Sequence, residues 1–281
     1  MSYVFKALGT VMLAGSTLVA PTGAVFAQAD PKMQESTYAD LADLSDAANL
    51  VLQVKIRKQA EVKPERAPGL SPGMARLYVE ADTLALLTGN APVGESVRYL
   101  VDVPRDAKGK APKLKKQEML LFAHPVPDRP DEVQLVGQGA QMRWTPELEA
   151  RVRPILSALV SPEAPPIVTG VRDALSVEGN LVGESETQLF LSTRGDGPVS
   201  ATIIRRPGQE PTWGVSFSEI VDQSAVPPQR DTLAWYRLAC FLPQELPGEA
   251  NLSRDADTRA QAAEDYRYMM TQLGPCPRNR L

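Results

Sequence analysis

Groups suited to catalysis are few in this 281-residue chain, and they are scattered. His124 is the single histidine, so a Ser-His-Asp relay has one imidazole to use. No nucleophile elbow accompanies it: Gly183-Glu184-Ser185-Glu186-Thr187 lacks the second glycine of G-x-S-x-G. Multi-histidine zinc sites are excluded by count. Gly137-Gln138-Gly139 follows an apolar run, as a dinucleotide-binding turn would, but Met142 stands where the third glycine belongs, and Trp144 and Pro146 follow. Asp255-Ala256-Asp257 opens like a calcium loop, yet its sixth position is Ala260 and its twelfth Tyr266. Those acids read better as the first turn of a helix, where they complement the dipole. Glu184 and Glu186 would share a face of one strand, an arrangement better suited to a solvated edge than to glycosidase chemistry. Arg194-Gly195-Asp196-Gly197 has the composition of a hairpin turn. No catalytic residue, cofactor or metal is expected from these patterns.

Two clusters remain. Lys108, Lys110, Lys113, Lys115 and Lys116 fall within nine residues. They read either as a loop that binds an anionic partner or as a solvated loop that keeps a strand edge from pairing. No aromatic residue interleaves, which argues against stacking on nucleic-acid bases. Flanked by Gly109 and Pro112, the cluster is expected to lack apolar anchors. The second cluster is Cys240 and Cys276, the only cysteines, expected to form one disulfide if the chain is exported. The alternative is two unrelated thiols.

Export is expected from the first residues. Lys6 precedes an uncharged stretch from Ala7 to Ala20, Pro21 and Gly23 break it, and small residues follow. This is the order of a secretory signal over residues 1–27. Val25-Phe26-Ala27 and Ala27-Gln28-Ala29 both fit the cleavage rule, so the mature chain should begin near Gln28 or Asp30. An uncleaved anchor is the alternative. No stable membrane insertion is expected after cleavage. The net charge of −4 gives no basic excess, so no nucleic-acid partner is expected.

The bases also change in kind along the chain. From Asp30 to Arg143 there are 16 basic and 16 acidic residues; from Thr145 onward 13 and 18, and all 13 bases are Arg. This suggests two modules, 30–143 and 144–281, meeting near Trp144.

In the first module, Tyr38, Leu41 and Leu44 mark a short amphipathic helix over Thr37 to Ala48. A strand follows from period-two alternation at Leu50 to Ile56, Arg76 to Leu87 and Val97 to Val103 read as a second and a third, the apolar run Met119 to Ala123 as a fourth, and Val133 to Val136 as a possible fifth. One helix followed by four or five strands predicts a small antiparallel barrel or curled sheet. The segments "LALLTGNAPVGESVRYLVDV" and "LKKQEMLLFA", within residues 48–123, resemble the OB-like barrels of secreted netrin-like and metalloproteinase-inhibitor-like modules. Inhibition in the latter is supplied by an N-terminal cysteine, and this module has none.

In the second module, Thr145-Pro146-Glu147 caps a helix toward Val160, with Pro154 expected to kink it. A meander of about four strands is expected over Ile167 to Val177, Thr187 to Thr193, Val199 to Arg205 and Trp213 to Ile220. Asp231 is expected to cap a buried helix ended by Pro243, and a last helix runs from about Asp255 to Gly274, with Ala262, Tyr266, Met269 and Leu273 on one face. The fold expected is α+β with mostly antiparallel strands. The function expected is an exported, non-catalytic binding or envelope-assembly protein of the bacterial periplasm, its partner an envelope protein or anionic envelope polymer. The alternative is an envelope hydrolase.

Overall fold

Alternation decides the first sheet. In a computed structural model that describes Met1 and residues 35–195, 197–218 and 225–279, five strands close a barrel: β1 (Leu50–Glu61), β2 (Met74–Thr88), β3 (Ser96–Pro104), β4 (Glu118–Val126) and β5 (Arg129–Leu135). The order is β1-β2-β3-β5-β4, and β4 returns to pair with β1 from Leu50 opposite Ala123 to Lys55 opposite Glu118. A three-residue strand, β6 (Gln141–Arg143), extends the sheet beside β4. The expected signal peptide over 1–27 lies outside the described residues, Met1 excepted.

Runs without alternation mark walls buried on both sides. In β4, Met119, Leu121 and Ala123 point into the barrel with Leu52, Val54 and Ile56 of β1. Leu120 and Phe122 point the other way, into a second core shared with Val51, Leu189, Ile203, Tyr236 and Tyr266. The β1–β4 wall is thus common to both cores. The second sheet is a four-stranded antiparallel meander, β7 (Val168–Glu178), β8 (Ser185–Thr193), β9 (Val199–Arg205) and β10 (Thr212–Ser216), in sequence order. The strand expected to reach Ile220 stops at Ser216, and residues 219–224 lie outside those described.

Helices cover the second core. α1 (Tyr38–Ala47) is closed by a capping box between Thr37 and Asp40. α2 (Pro146–Leu159) starts at the Thr145 cap and runs on as one helix with Pro154 inside it. Pro154 is solvent-exposed. α3 (Leu233–Ala239) is capped by Thr232, not by Asp231, and ends at Cys240; α4 (Ala256–Leu273) begins at an Asp255 capping box and stops at Gly274, whose φ of 70° suits glycine. Asp255 therefore caps a helix. Ala262, Tyr266, Met269 and Leu273 of α4 are all buried, as the spacing requires. The fold is α+β, with an OB-like barrel in the first half.

Burial of phenols gives this fold a base-sensitive component. Tyr38 is pushed up to about 12 by burial and by the Asp231 carboxylate. Burial also raises Tyr99, Tyr236 and Tyr266, with Asp43 adding to the shift at Tyr236. The folded chain holds these protons while the unfolded chain releases them above about pH 10. Their contribution is therefore complete below about pH 10 and is lost as pH rises through the folded values. Phenolate absorbance should show these four tyrosines resisting titration until the fold is lost; smooth titration of all tyrosines near pH 10 in folded protein would contradict their burial.

Candidate binding groove

The barrel closes unevenly. β3 pairs with β2 through nine register positions, from Met74 opposite Pro104 to Asp82 opposite Ser96. Against β5, which runs parallel to it, β3 makes one pair, Arg98 opposite Glu132. Past that point β3 follows β2, while β5 follows β4 through Val133–Pro125, Gln134–His124 and Leu135–Ala123. The two strands part, and a groove of about 660 Å³ opens between them.

The lining shows how the groove runs. From β2 it takes alternate residues, Met74, Arg76 and Tyr78. From β3 it takes Arg98, Tyr99, Leu100, Val101 and Asp102 without a gap, and from β5 Glu132, Val133, Gln134 and Leu135. Successive side chains on a strand point to opposite faces, so a groove lying on a face touches every second residue. One touching consecutive residues on both strands runs along their edges. Tyr99, Val101 and Val133, which belong to the barrel core, form its floor, and the Tyr99 hydroxyl is tied to Gln141 Oε1 at 2.7 Å. Leu100 and Tyr78, opposite one another in the β2–β3 ladder, stand outward as an exposed apolar pair, Leu100 at 51%.

Charge at the groove is internally matched. Arg76 grips Asp102 through Nε at 2.7 Å and Nη2 at 2.8 Å, and this hydrogen-bonded carboxylate raises the guanidinium above its ordinary pKa. Arg98 pairs with Asp131 and reaches Glu132 at 3.8 Å, and Arg129 holds Glu132 at 3.0 Å. Each carboxylate lining the groove is thus paired with an arginine.

The residues singled out from the sequence fall elsewhere, with one exception. Gly137-Gln138-Gly139 forms one wall of the groove, Gly139 at a φ of 75°. His124 is half-buried on β4, its Nδ1 2.6 Å from Asn49 Oδ1. Glu184 and Glu186 do not share a strand: β8 begins at Ser185, and Glu184 bends back to accept the N–H groups of Asn180 and Leu181 at 3.1 and 3.2 Å. Asp196 of the Arg-Gly-Asp turn lies outside the described residues. Cys240 and Cys276 are bonded, their Cα atoms 5.2 Å apart. Among the described residues no group of three His, Cys, Asp or Glu side chains is placed to hold a metal.

Lys108, Lys110, Lys113, Lys115 and Lys116 are all exposed, and none forms an ion pair among the described residues. The loop itself is packed, contrary to the expectation from its composition. Leu114 is buried in the barrel core, and its N–H donates to Gln59 Oε1 at 2.6 Å. Asp106 Oδ1 accepts the N–H groups of Lys108 and Lys110, and Lys116 N donates to Ile56 O at 2.7 Å. A single leucine among five lysines is a weak pattern in sequence, yet it suffices as an anchor. Changing all five lysines to Ser should alter stability by less than about 1 kcal/mol. Leu114→Ala should cost about 2 kcal/mol. Denaturant titration compares them, and the reverse ranking would contradict this placement.

The groove residues missed in the sequence had one visible signal. Tyr78 and Leu100 are apolar in the outward phase of their strands, a signal they share with Leu84 and Leu86, which do not line the groove. No known family's profile matches the chain, and no curated protein matches it. The functional reading therefore rests on the OB-like barrel and its open edge.

Proposed function

We propose that the chain is an exported, non-catalytic binding protein of the bacterial cell envelope that holds its ligand in the groove between β3 and β5. The carrying observation is the groove itself: about 660 Å³ along two parted strand edges, with Leu100 and Tyr78 exposed beside it. That volume is ordinary for a ligand site, and binding sites combine an apolar centre with a few placed polar groups. Nothing in the groove singles out an acid or base for an envelope hydrolase. Here each lining carboxylate is neutralised by arginine, and His124 is engaged with Asn49. The disulfide suits an oxidising compartment, and no described helix is long and apolar enough to cross a membrane. The exposed lysines of the 108–116 loop supply a second contact, suited to an anionic envelope polymer.

Leu100→Asp tests the site, because the position is exposed and the variant should fold. Pools of peptidoglycan fragments, polyphosphate and linear peptides would be passed over immobilised wild type and variant. Retention of at least one pool by wild type, weakened roughly tenfold in the variant, is expected. Equal retention by both would place binding elsewhere.

A further inference from the structure

We infer that the occupant of the groove is an extended polypeptide segment of a partner protein, added as a strand between β3 and β5. This rests on the binding reading above and names the chemistry of the ligand. Three features converge on it. The groove is lined by consecutive residues of both strands, so what it offers along its length is main-chain edge, and a ligand that fills it must satisfy backbone donors and acceptors. An extended peptide presents those groups at the same spacing; a sugar or a base does not.

The second feature is the alternation of the walls. A strand laid in the groove sends alternate side chains down onto Tyr99, Val101 and Val133 and up beside Leu100 and Tyr78. The floor is closed by core side chains, so inward positions take small apolar residues. Outward positions meet an apolar pair flanked by the Arg76–Asp102 bridge, which accommodates larger side chains with polar ends. Over the run Arg98–Asp102 the groove holds about five residues, roughly 17 Å of strand.

The third is charge. A polyanion requires arginines free to neutralise phosphates or sulfates. Both lining arginines, Arg76 and Arg98, are committed to carboxylates of the chain itself. The groove is complementary to an uncharged, hydrogen-bonding chain, and nucleic acid or an anionic glycan is disfavoured there.

The test uses the full chain. A displayed library of linear peptides about seven residues long is selected on the wild type, and bound sequences are compared against Leu100→Asp and against Leu84→Asp, an equally exposed leucine of β2 that does not line the groove. The best peptide is then synthesised with N-methyl groups on alternate residues, in both phases. The expected result is a peptide with small apolar residues at every second position. Its binding should fall about tenfold with Leu100→Asp and with N-methylation in at least one phase, since two or three main-chain hydrogen bonds are lost. It should slow amide exchange at 99–102 while leaving β7 unchanged. A peptide indifferent to N-methylation, or one that protects no β3 amide, would overturn strand addition. If no peptide is selected but peptidoglycan fragments or oligonucleotides bind in a Leu100→Asp-sensitive way, the groove is a binding site and the polypeptide assignment is wrong. If no probe binds at all, both fail.

Discussion

Arg205→Met is expected to cost the fold about 3 kcal/mol, because it strands a buried carboxylate. Asp265 of α4 is fully buried. Arg205, at the end of β9, donates to it through Nε at 2.5 Å, and Gln261 Nε2 does so at 3.0 Å. The Thr187 hydroxyl donates to the same carboxylate, while its oxygen lies 3.0 Å from Ser176 Oγ. This network docks α4 onto the second sheet. Without Arg205 the carboxylate keeps two neutral donors and loses its counter-charge, and water is excluded from it. Removing one partner of a buried pair costs about 3 to 5 kcal/mol; Arg205 retains some exposure to solvent, which places the effect at the lower end. Replacing both residues, as Arg205→Met with Asp265→Leu, should recover most of the loss, since no buried charge then remains. Denaturant unfolding of the two singles and the double closes the cycle. A loss below about 1 kcal/mol in Arg205→Met would mean that water reaches Asp265 and the network is not sealed.

Exchange of both cysteines for Ser should cost about 4 kcal/mol. The bond closes a loop with a sequence separation of 36, and the chain-entropy account assigns about that value to such a loop. What the bond holds shows where the damage falls. The chain after Gly274 crosses to α1: Thr37 Oγ1 donates to Pro277 O at 2.8 Å, Arg278 Nε to Asp43 at 2.6 Å, and Asn279 N to both oxygens of Asp40 at 3.1 Å. Asp43 also accepts the Tyr236 hydroxyl at 2.6 Å, and Asp46 takes Arg237 through two bonds of 2.8 Å. Three aspartates spaced along α1 are thus held by α3 and the C-terminal strap, and Cys240–Cys276 joins those two. Hydrogen exchange of the double variant should accelerate first in 274–279 and in α1, and last in the β1–β4 wall. Uniform acceleration would mean that the strap is not the weak point.

The disulfide partners and most elements were legible in the sequence because the signals were local. Alternating or unbroken apolar runs gave the strands, Thr37, Thr145 and Asp255 the helix starts, and Gly274 the last stop. What the sequence did not reveal depends on distant pairing. Strand β6 is three residues long and exists because Met119–Leu121 offers it an edge. The two faces of β4 were visible as an unbroken apolar run, but not that one face serves a core built mainly from the second half. The α1 aspartates carry no mark of their partners some 190 to 240 residues away in sequence. The groove is the extreme case, since it arises where a ladder fails to continue. Tyr78 and Leu100, apolar in the outward phase, hinted at it, but Leu84 and Leu86 show the same pattern away from the groove.

We propose that this chain binds in the groove between β3 and β5 and leaves what it binds unchanged. The most direct measurement is a backbone-amide NMR map of the intact chain, titrated with the peptide, peptidoglycan-fragment and polyphosphate pools, with mass analysis of each pool afterwards. Shifts concentrated at 98–102 and 132–139, with every pool recovered unchanged, are predicted. Shifts centred on the second sheet, or cleavage of any pool, would contradict the claim.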